Sequence, residues 1–364
     1  MDKANKNINK QKENKKNSYQ TDLFSIKQPI LPKDKRIFIP SWSNEPPFIE
    51  PIITFNDIPI LTLGNLTLIC AGSGVGKSAL MEVIASSWLM IKQFDTIGFR
   101  TKLPYEKDKI LYIDSERSTR QNWISWKRTL TRAGINKPDV DERLIYINVR
   151  KYPILDRKDF INAFLNDNND IRLILIDSIG DYLIDKNSIH DTIAIIDWLN
   201  SFNPYISVVL TLHTNPTNPK PTGHLGSYLL NKVDACLLIR KTLDKQGTRE
   251  ITTDFEFGKV REGKDTGNSK FMVFDDKYEM FLSTEYIPPT EGEQEQIQKQ
   301  KDIDLVASLF NGMEKLKRDT LESKFIKLTG TTKNNFDYKM KDLSKKNLII
   351  SNKKHSGIWY KNIA

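Results

Sequence analysis

Residues 66–80 read Leu66-Thr-Leu-Ile-Cys-Ala-Gly-Ser-Gly-Val-Gly-Lys-Ser-Ala-Leu80, and the fold follows from how this stretch changes character. Leu66, Leu68, Ile69 and Cys70 form a short apolar run suited to a buried strand, glycines alternate through the next residues, and a helical pattern opens at Gly76-Lys77-Ser78. Strand, glycine-rich turn and helix in this order make a cradle for phosphates. Gly72, Gly74 and Gly76 admit backbone conformations closed to residues with a Cβ, so that successive N–H groups can point at a phosphate chain. The helix adds its positive N-terminal end. Lys77 would reach the β and γ phosphates, and the Ser78 hydroxyl would bind Mg²⁺. Ala71, Gly72, Ser73, Gly74, Val75, Gly76, Lys77, Ser78 and Ala79 are therefore the expected ATP-binding residues. The pattern is G-x-x-x-x-G-K-[ST], the P-loop or Walker A motif, with Ala71 at its first position. A dinucleotide-binding G-x-G-x-x-G turn does not fit, because the third glycine comes one residue early and Lys-Ser follows it.

Working outward, strands and helices alternate. The expected elements are a helix over 79–93, a strand ending in Asp114-Ser115-Glu116, a helix over 118–133, a strand over 143–149 and a helix over 157–166. The most apolar strand follows, Ile171-Arg-Leu-Ile-Leu-Ile-Asp177, then a helix over 188–200 and a strand over 205–212 closed by His213. This alternation predicts an α/β fold, a mostly parallel sheet with helices on both faces. Strand-like runs over 233–241, 249–257 and 270–274, separated by polar turns, predict antiparallel strands extending one edge.

The flanks differ from this core. At 364 residues the chain has room for about two domains, and 38% hydrophobic residues suffice for packed cores. Residues 1–36 hold ten Lys/Arg against four Asp/Glu, and residues 301–364 hold fourteen against seven. With +6 and +7 at the ends and +9 overall, the middle is near −4, so basic ends flank the core and suit a polyanionic partner. Residues 1–30 read as a basic tail, disordered over 1–20 where Lys and Asn dominate. Residues 31–59, punctuated by six prolines, read as an extended arm opening the 31–284 domain, anchored by Trp42 and Phe48. Residues 285–300 read as a polar linker. Three helices and a hairpin about Ser356-Gly357 are expected within 301–364, the pattern of a winged-helix-like DNA-binding domain. Cys70 and Cys236, each in an apolar run, read as buried thiols of a reducing, cytoplasmic compartment. There is no apolar signal-like segment and no run of about 18 apolar residues, so neither secretion nor a membrane span is expected.

A P-loop ATPase needs an acidic group on Mg²⁺ and another to polarise the attacking water. Asp177 is placed for the first, because the carboxyl ends of parallel strands share the P-loop edge. Asp114 or Glu116 would be the base, with the other, or more suitably by type Ser115, capping the next helix. His213 would lie near the γ-phosphate. Lys259 and Arg261 alternate on one side of a strand, either as a solvated face or as groups reaching a neighbouring subunit's nucleotide. The loop over 214–226, with Lys220 and His224, would lie at the edge of a DNA channel. Trp123 and Trp126 are expected in the core.

Taken together, AGSGVGKS (71–78), ILYIDSE (110–116), LILIDS (173–178), VVLTLH (208–213) and KVREGK (259–264) resemble the RecA-like ATPases, most closely the RepA-type hexameric helicases related to DnaB. The resemblance spans residues 60–276. It implies a homo-hexameric ring with ATP and Mg²⁺ between subunits and single-stranded DNA in the channel. By position it assigns Lys77 and Ser78 to the phosphates and Mg²⁺, Glu116 to the base, Asp177 to Walker B, His213 to γ-phosphate sensing, and Lys259 and Arg261 to action in trans. Ala71 and the C-terminal unit, which could read duplex DNA, depart from the simplest members of that family. The expected activity is that of an ATP-dependent DNA motor, a replicative helicase of a plasmid or mobile element; the alternative is an ATP-switched DNA-binding regulator or mobilisation protein. A small-molecule kinase is disfavoured, since it needs neither a trans-acting pair nor a basic C-terminal module.

Overall fold

The computed structural model describes residues 49–92, 94–135, 142–185, 187–242, 247–261, 269–285, 291–351 and 357–362. In chain order its strands are β1 (Pro51–Phe55), β2 (Ile58–Thr62), β3 (Leu66–Ala71), β4 (Phe99–Thr101), β5 (Lys109–Asp114), β6 (Leu144–Asn148), β7 (Ile171–Asp177), β8 (Ser207–His213), β9 (Ala235–Lys241), β10 (Arg249–Thr252), β11 (Lys259–Val260), β12 (Lys270–Asp275), β13 (Met280–Thr284), β14 (Lys315–Lys317), β15 (Ile349–Ser351) and β16 (Ile358–Lys361). The α-helices are α1 (Lys77–Leu89), α2 (Thr119–Arg132), α3 (Ile154–Asp167), α4 (Ile189–Asn200), α5 (Gly223–Lys232), α6 (Glu291–Phe310), α7 (Arg318–Thr329) and α8 (Lys333–Lys345).

Ten strands form the main sheet in the order β13-β12-β10-β9-β3-β8-β7-β5-β6, with β11 beside β10 on the same edge of β9. The strands from β9 to β6 are parallel, and β10, β12 and β13 extend them antiparallel. The α/β architecture expected above is therefore the one observed, and β10, β12 and β13 form an antiparallel edge, but the 233–241 run expected to belong to that edge is β9, which pairs parallel to β3 and so closes the parallel part of the sheet. The period of two explains the layers. Ile69, Ile110, Tyr112, Leu173 and Leu175 face one core with α1 and the end of α2. Leu68, Leu111, Ile113, Ile174 and Ile176 face the other, with α3, α4 and α5. Both faces of β3, β5 and β7 are thus dry, and their near-continuous apolar runs are the consequence.

Two expectations change near the N-terminus and at the domain junction. Residues 51–59 are not an arm. Asn56 and Asp57, both in the left-handed region, turn β1 into β2. β1 also pairs with β4, and Ile52, Ile53, Phe55, Ile60 and Leu61 are buried in the α1-side core. Thr62 Oγ1 donates to the buried Asp234 carboxylate at 2.7 Å, tying the hairpin to the main sheet. Trp42 and Phe48 lie outside the described residues, as do residues 1–48 altogether. Residues 291–300, read above as linker, are the first half of α6, since Glu, Gln and Lys favour helix without any apolar stripe.

Residues 301–362 build a third core: Val306, Leu309 and Phe310 of α6 pack with Leu321 and Phe325 of α7, Phe336, Met340 and Leu343 of α8, and Leu348 and Ile349. β15 and β16 pair as expected, and β14 adds a third strand to the sheet. Asp302 is only 1% exposed, yet accepts from Lys339 and Lys346, each at 2.7 Å. Burial would raise its pKa, but the two ammonium groups hold the carboxyl below the usual range. The stability it contributes is present above the unfolded aspartate value of about 3.9 and is lost as pH falls through the lower folded value. Asp302→Asn should destabilise this unit by about 1–3 kcal/mol, read as faster amide exchange in α8 at neutral pH; unchanged exchange would mean the clamp contributes nothing.

Candidate functional site: a phosphate loop with a Lys–His–Glu chain

The strand register sets the site. Ala71 pairs with His213 across β3 and β8, and Asp114 pairs with Asp177 across β5 and β7. Ile69 lies beside Thr211, and Thr211 Oγ1 donates to Asp177 Oδ1 at 2.7 Å. One row of the sheet edge therefore carries Thr211, Asp177 and Asp114. Two residues further along each chain come Ala71, His213 and Glu116.

The loop after β3 places Gly74 at φ +67° and Gly76 at φ +123°, where a Cβ would strain the backbone; Gly72 is outside that region. Two of the three glycines are thus required by conformation. Lys77 is buried at the start of α1, and its Nζ donates to the carbonyls of Gly72 (3.3 Å) and Ala71 (3.5 Å) and to His213 Nδ1 (3.0 Å). An ammonium can only donate, so His213 Nδ1 accepts and Nε2 is the protonated ring nitrogen. That nitrogen faces Glu116 Oε1 at 3.6 Å. Burial lowers the Lys77 pKa, and Asp177 and Glu116 pull it back. Glu116, its side chain 47% exposed, is held below the usual glutamate range chiefly by His213, against its partial burial. It is therefore ionised at neutral pH and open to water.

Asp114 has a different place. It is fully buried, and its carboxylate accepts from the Glu116 N–H (3.0 Å), the Arg117 N–H (2.8 Å) and Arg117 Nε. Asp114 thus folds the turn that presents Glu116. Ser115 is no helix cap: its Oγ donates to Asp181 at 2.8 Å and accepts from the Ser178 N–H at 3.1 Å, joining the ends of β5 and β7. The α2 cap is Ser118, whose Oγ accepts from the Gln121 N–H while Gln121 Oε1 accepts from the Ser118 N–H.

Asp177 accepts from Tyr112 at 3.2 Å besides Thr211. These two neutral donors leave oxygen capacity on Asp177 for a cation, and the Ser78 hydroxyl at the start of α1 would supply a second hard-oxygen ligand of the kind Mg²⁺ takes. Among the described residues no group of three or more His, Cys, Asp or Glu could hold a metal alone.

The sequence reading missed Arg117 and Arg249. Arg117 is the most connected group at the site: besides Asp114 it donates to Tyr112 (3.0 Å), Tyr146 (2.6 Å) and Glu82 of α1 (3.3 Å), and it lies 3.8 Å from Asp177. Burial opposes its charge, but the surrounding tyrosines and carboxylates raise its pKa further. An arginine directly after the Asp-Ser-Glu turn was the only local signal. Arg249 of β10 donates to the Val75 carbonyl of the loop at 3.1 Å, a contact between residues 174 apart.

Lys259 and Arg261 do share one side, as expected. Within their own chain they are far from Lys77, since β11 pairs with Ala235 and Cys236 at the opposite end of β9 from the phosphate loop. Lys259 Nζ donates to Leu230 O (2.9 Å) and Arg261 to Asn231 O (3.3 Å), at the C-terminal end of α5. The 214–226 loop is shorter than expected, because α5 starts at Gly223 and Thr222 N–H bonds back to His213 O at 2.9 Å. The Cys70 and Cys236 thiols are buried and form no disulfide; their sulfurs lie 3.7 Å apart, in hydrogen-bond contact. No helix among the described residues is long and apolar enough to cross a membrane.

A phosphate loop, an acidic strand end two strands away, and a histidine on the strand between them define a P-loop ATPase of the RecA-like α/β architecture. Residues 50–218, a little under half the chain, match the family model of the AAA domain. No curated protein matches the chain.

Arg117→Lys tests the network around the site. A lysine ammonium cannot serve Asp114, Tyr112, Tyr146 and Glu82 together. ATP affinity should stay near wild type while turnover falls about 10–100-fold, the range for residues that orient ligands. Wild-type turnover would show that Arg117 only packs.

Proposed function

We propose that this chain is a ring-forming, ATP-dependent DNA motor, a hexameric replicative helicase of a plasmid or mobile element acting in the cytoplasm. The observation that carries this reading is the chain from Lys77 through His213 to Glu116. It couples the group that would grip the phosphates to the carboxylate that would activate water, through a strand-end residue whose following loop could move with the nucleotide.

ATP would lie along residues 71–79, with Lys77 on its β and γ phosphates. Mg²⁺, held by Ser78 and Asp177, would supply charge neutralisation at the transferring phosphate. Glu116, ionised and half exposed, would accept a proton from the attacking water, and His213 would report the state of the γ position. Lys259 and Arg261, remote from their own loop, would act on the neighbouring subunit's nucleotide, which makes the active site complete only in a ring. Single-stranded DNA would occupy the channel lined by the loops after β7 and β8, and the basic 301–364 unit, winged-helix-like in its three helices and small sheet, would add duplex contacts. That basic unit also favours a second reading, an ATP-switched DNA-binding regulator.

Two measurements separate these readings. Single-stranded DNA should raise ATP turnover several-fold and a forked duplex should be unwound with one polarity; a slow ATPase indifferent to DNA would leave only the regulator. Arg261→Ala should bind ATP and turn over about 10³-fold more slowly, by analogy with arginine fingers. Mixing it with Lys77→Ala should restore part of the activity, whereas a fully active monomer would contradict the ring.

A further inference from the structure

Trp123 stands on α2, expected in the core, yet it is 46% exposed. Its position alternates with the buried face of α2, formed by Asn122, Ser125 and Thr129. Arg120 lies over its ring at 4.9 Å and Lys127 at 5.4 Å. Across from it, the turn between β12 and β13 raises Tyr278, 44% exposed, with Lys277 over its ring at 5.2 Å. Between them runs a cavity of about 430 Å³, walled by α2 and this turn. Its lining also includes Arg128 and one acid, Glu279, so cations outnumber acids four to one. Two exposed rings beside four cations are what a single-stranded nucleic acid requires: flat faces for bases and positive charge for phosphates. An acidic peptide would use the cations but has no need of two exposed aromatic rings.

Both walls are rooted in the nucleotide site. α2 begins at the Ser118 cap, immediately after the turn that presents Glu116. Arg128, on the groove side, donates to Glu82 at 3.2 Å, the carboxylate that also receives Arg117. On the other wall, β12 carries Met272, whose Cε lies so near Gly76 that an added Cβ would come within 3.1 Å of it. β13 carries Phe281, whose ring lies under Arg249, the residue bonded to Val75 of the phosphate loop.

We propose that the groove between α2 and the β12–β13 turn is a second, peripheral binding surface for single-stranded DNA, with bases stacking on Trp123 and Tyr278 and phosphates held by Arg120, Lys127 and Lys277. It takes its ligand from the DNA-acting reading above, but it lies apart from the channel loops after β7 and β8. A strand bound here displaces the three stacked cations, Arg120, Lys127 and Lys277, from the rings to its phosphates, which costs little because those cations face water.

The test uses the full chain and an oligothymidylate carrying 5-iododeoxyuridine. Irradiation should crosslink it to Trp123 or Tyr278, identified by mass spectrometry of the peptides. Trp123→Ala and Tyr278→Ala should each weaken oligonucleotide binding about 10-fold, while Trp123→Phe, which keeps a stacking face, should restore most of it. Basal ATP turnover should not change in any of the three, which also reports that they fold. If the oligonucleotide binds and stimulates the ATPase but crosslinks only elsewhere, with Trp123→Ala unaffected, the groove is not a DNA surface and the motor reading stands. If no single-stranded DNA binds at all, both fall.

Discussion

Parallel pairing holds β3, β8, β7 and β5 in one register, and the chemistry of this chain hangs on that constraint. Strand spacing alone brings Ala71, His213, Asp177 and Asp114 to one edge of the sheet, though they are far apart in sequence. A slip of one residue in any strand would reverse its faces, sending Ile or Leu of one core into the other. Because both cores are apolar and dry, such a slip would leave side chains of the wrong size in each, and the buried area fixes the edge on which Lys77 meets His213. The functional geometry is therefore a by-product of core packing.

Electrostatics then sorts residues that look alike. Asp114 and Glu116 stand two apart at one strand end, but one carboxylate is wholly spent on two backbone N–H groups and a guanidinium, while the other faces water beside His213. Arg117 makes that division. Partly buried among Tyr112, Tyr146, Glu82 and Asp114, its guanidinium finds an acceptor on each, and removing one partner of a buried charge pair typically costs about 3–5 kcal/mol. The same cluster links α1, which carries Lys77, to the turn that carries Glu116. The helix that follows the phosphate loop and the turn that carries Glu116 are thus joined by one hydrogen-bonded cluster.

Much of this was legible in the sequence, since local signals are dense there: glycines at fixed offsets before Lys77, the unbroken apolar run into Asp177, and the apolar run into His213. What was not legible depends on distance or on masking by composition. The contact of Arg249 with Val75 spans 174 residues and leaves no local trace. Prolines hid a hairpin whose isoleucines are buried, and a run of Glu and Gln hid the first half of α6. Trp123 was assigned to the core on residue type, whereas its helical phase, one step from buried Asn122, puts it outside. Asp114 and Glu116 could not be told apart by residue pattern, and only the resemblance favoured Glu116, because what distinguishes them physically is the three hydrogen bonds that converge on Asp114.

That distinction is the most direct point of test. Single-turnover hydrolysis and thermal melting of Glu116→Gln and Asp114→Asn, measured side by side, should separate a catalytic from a folding carboxylate. Glu116→Gln should melt like the wild-type protein and bind ATP, yet show no measurable hydrolysis, while Asp114→Asn should melt at a clearly lower temperature. A Glu116→Gln protein that hydrolyses ATP at the wild-type rate would contradict the account.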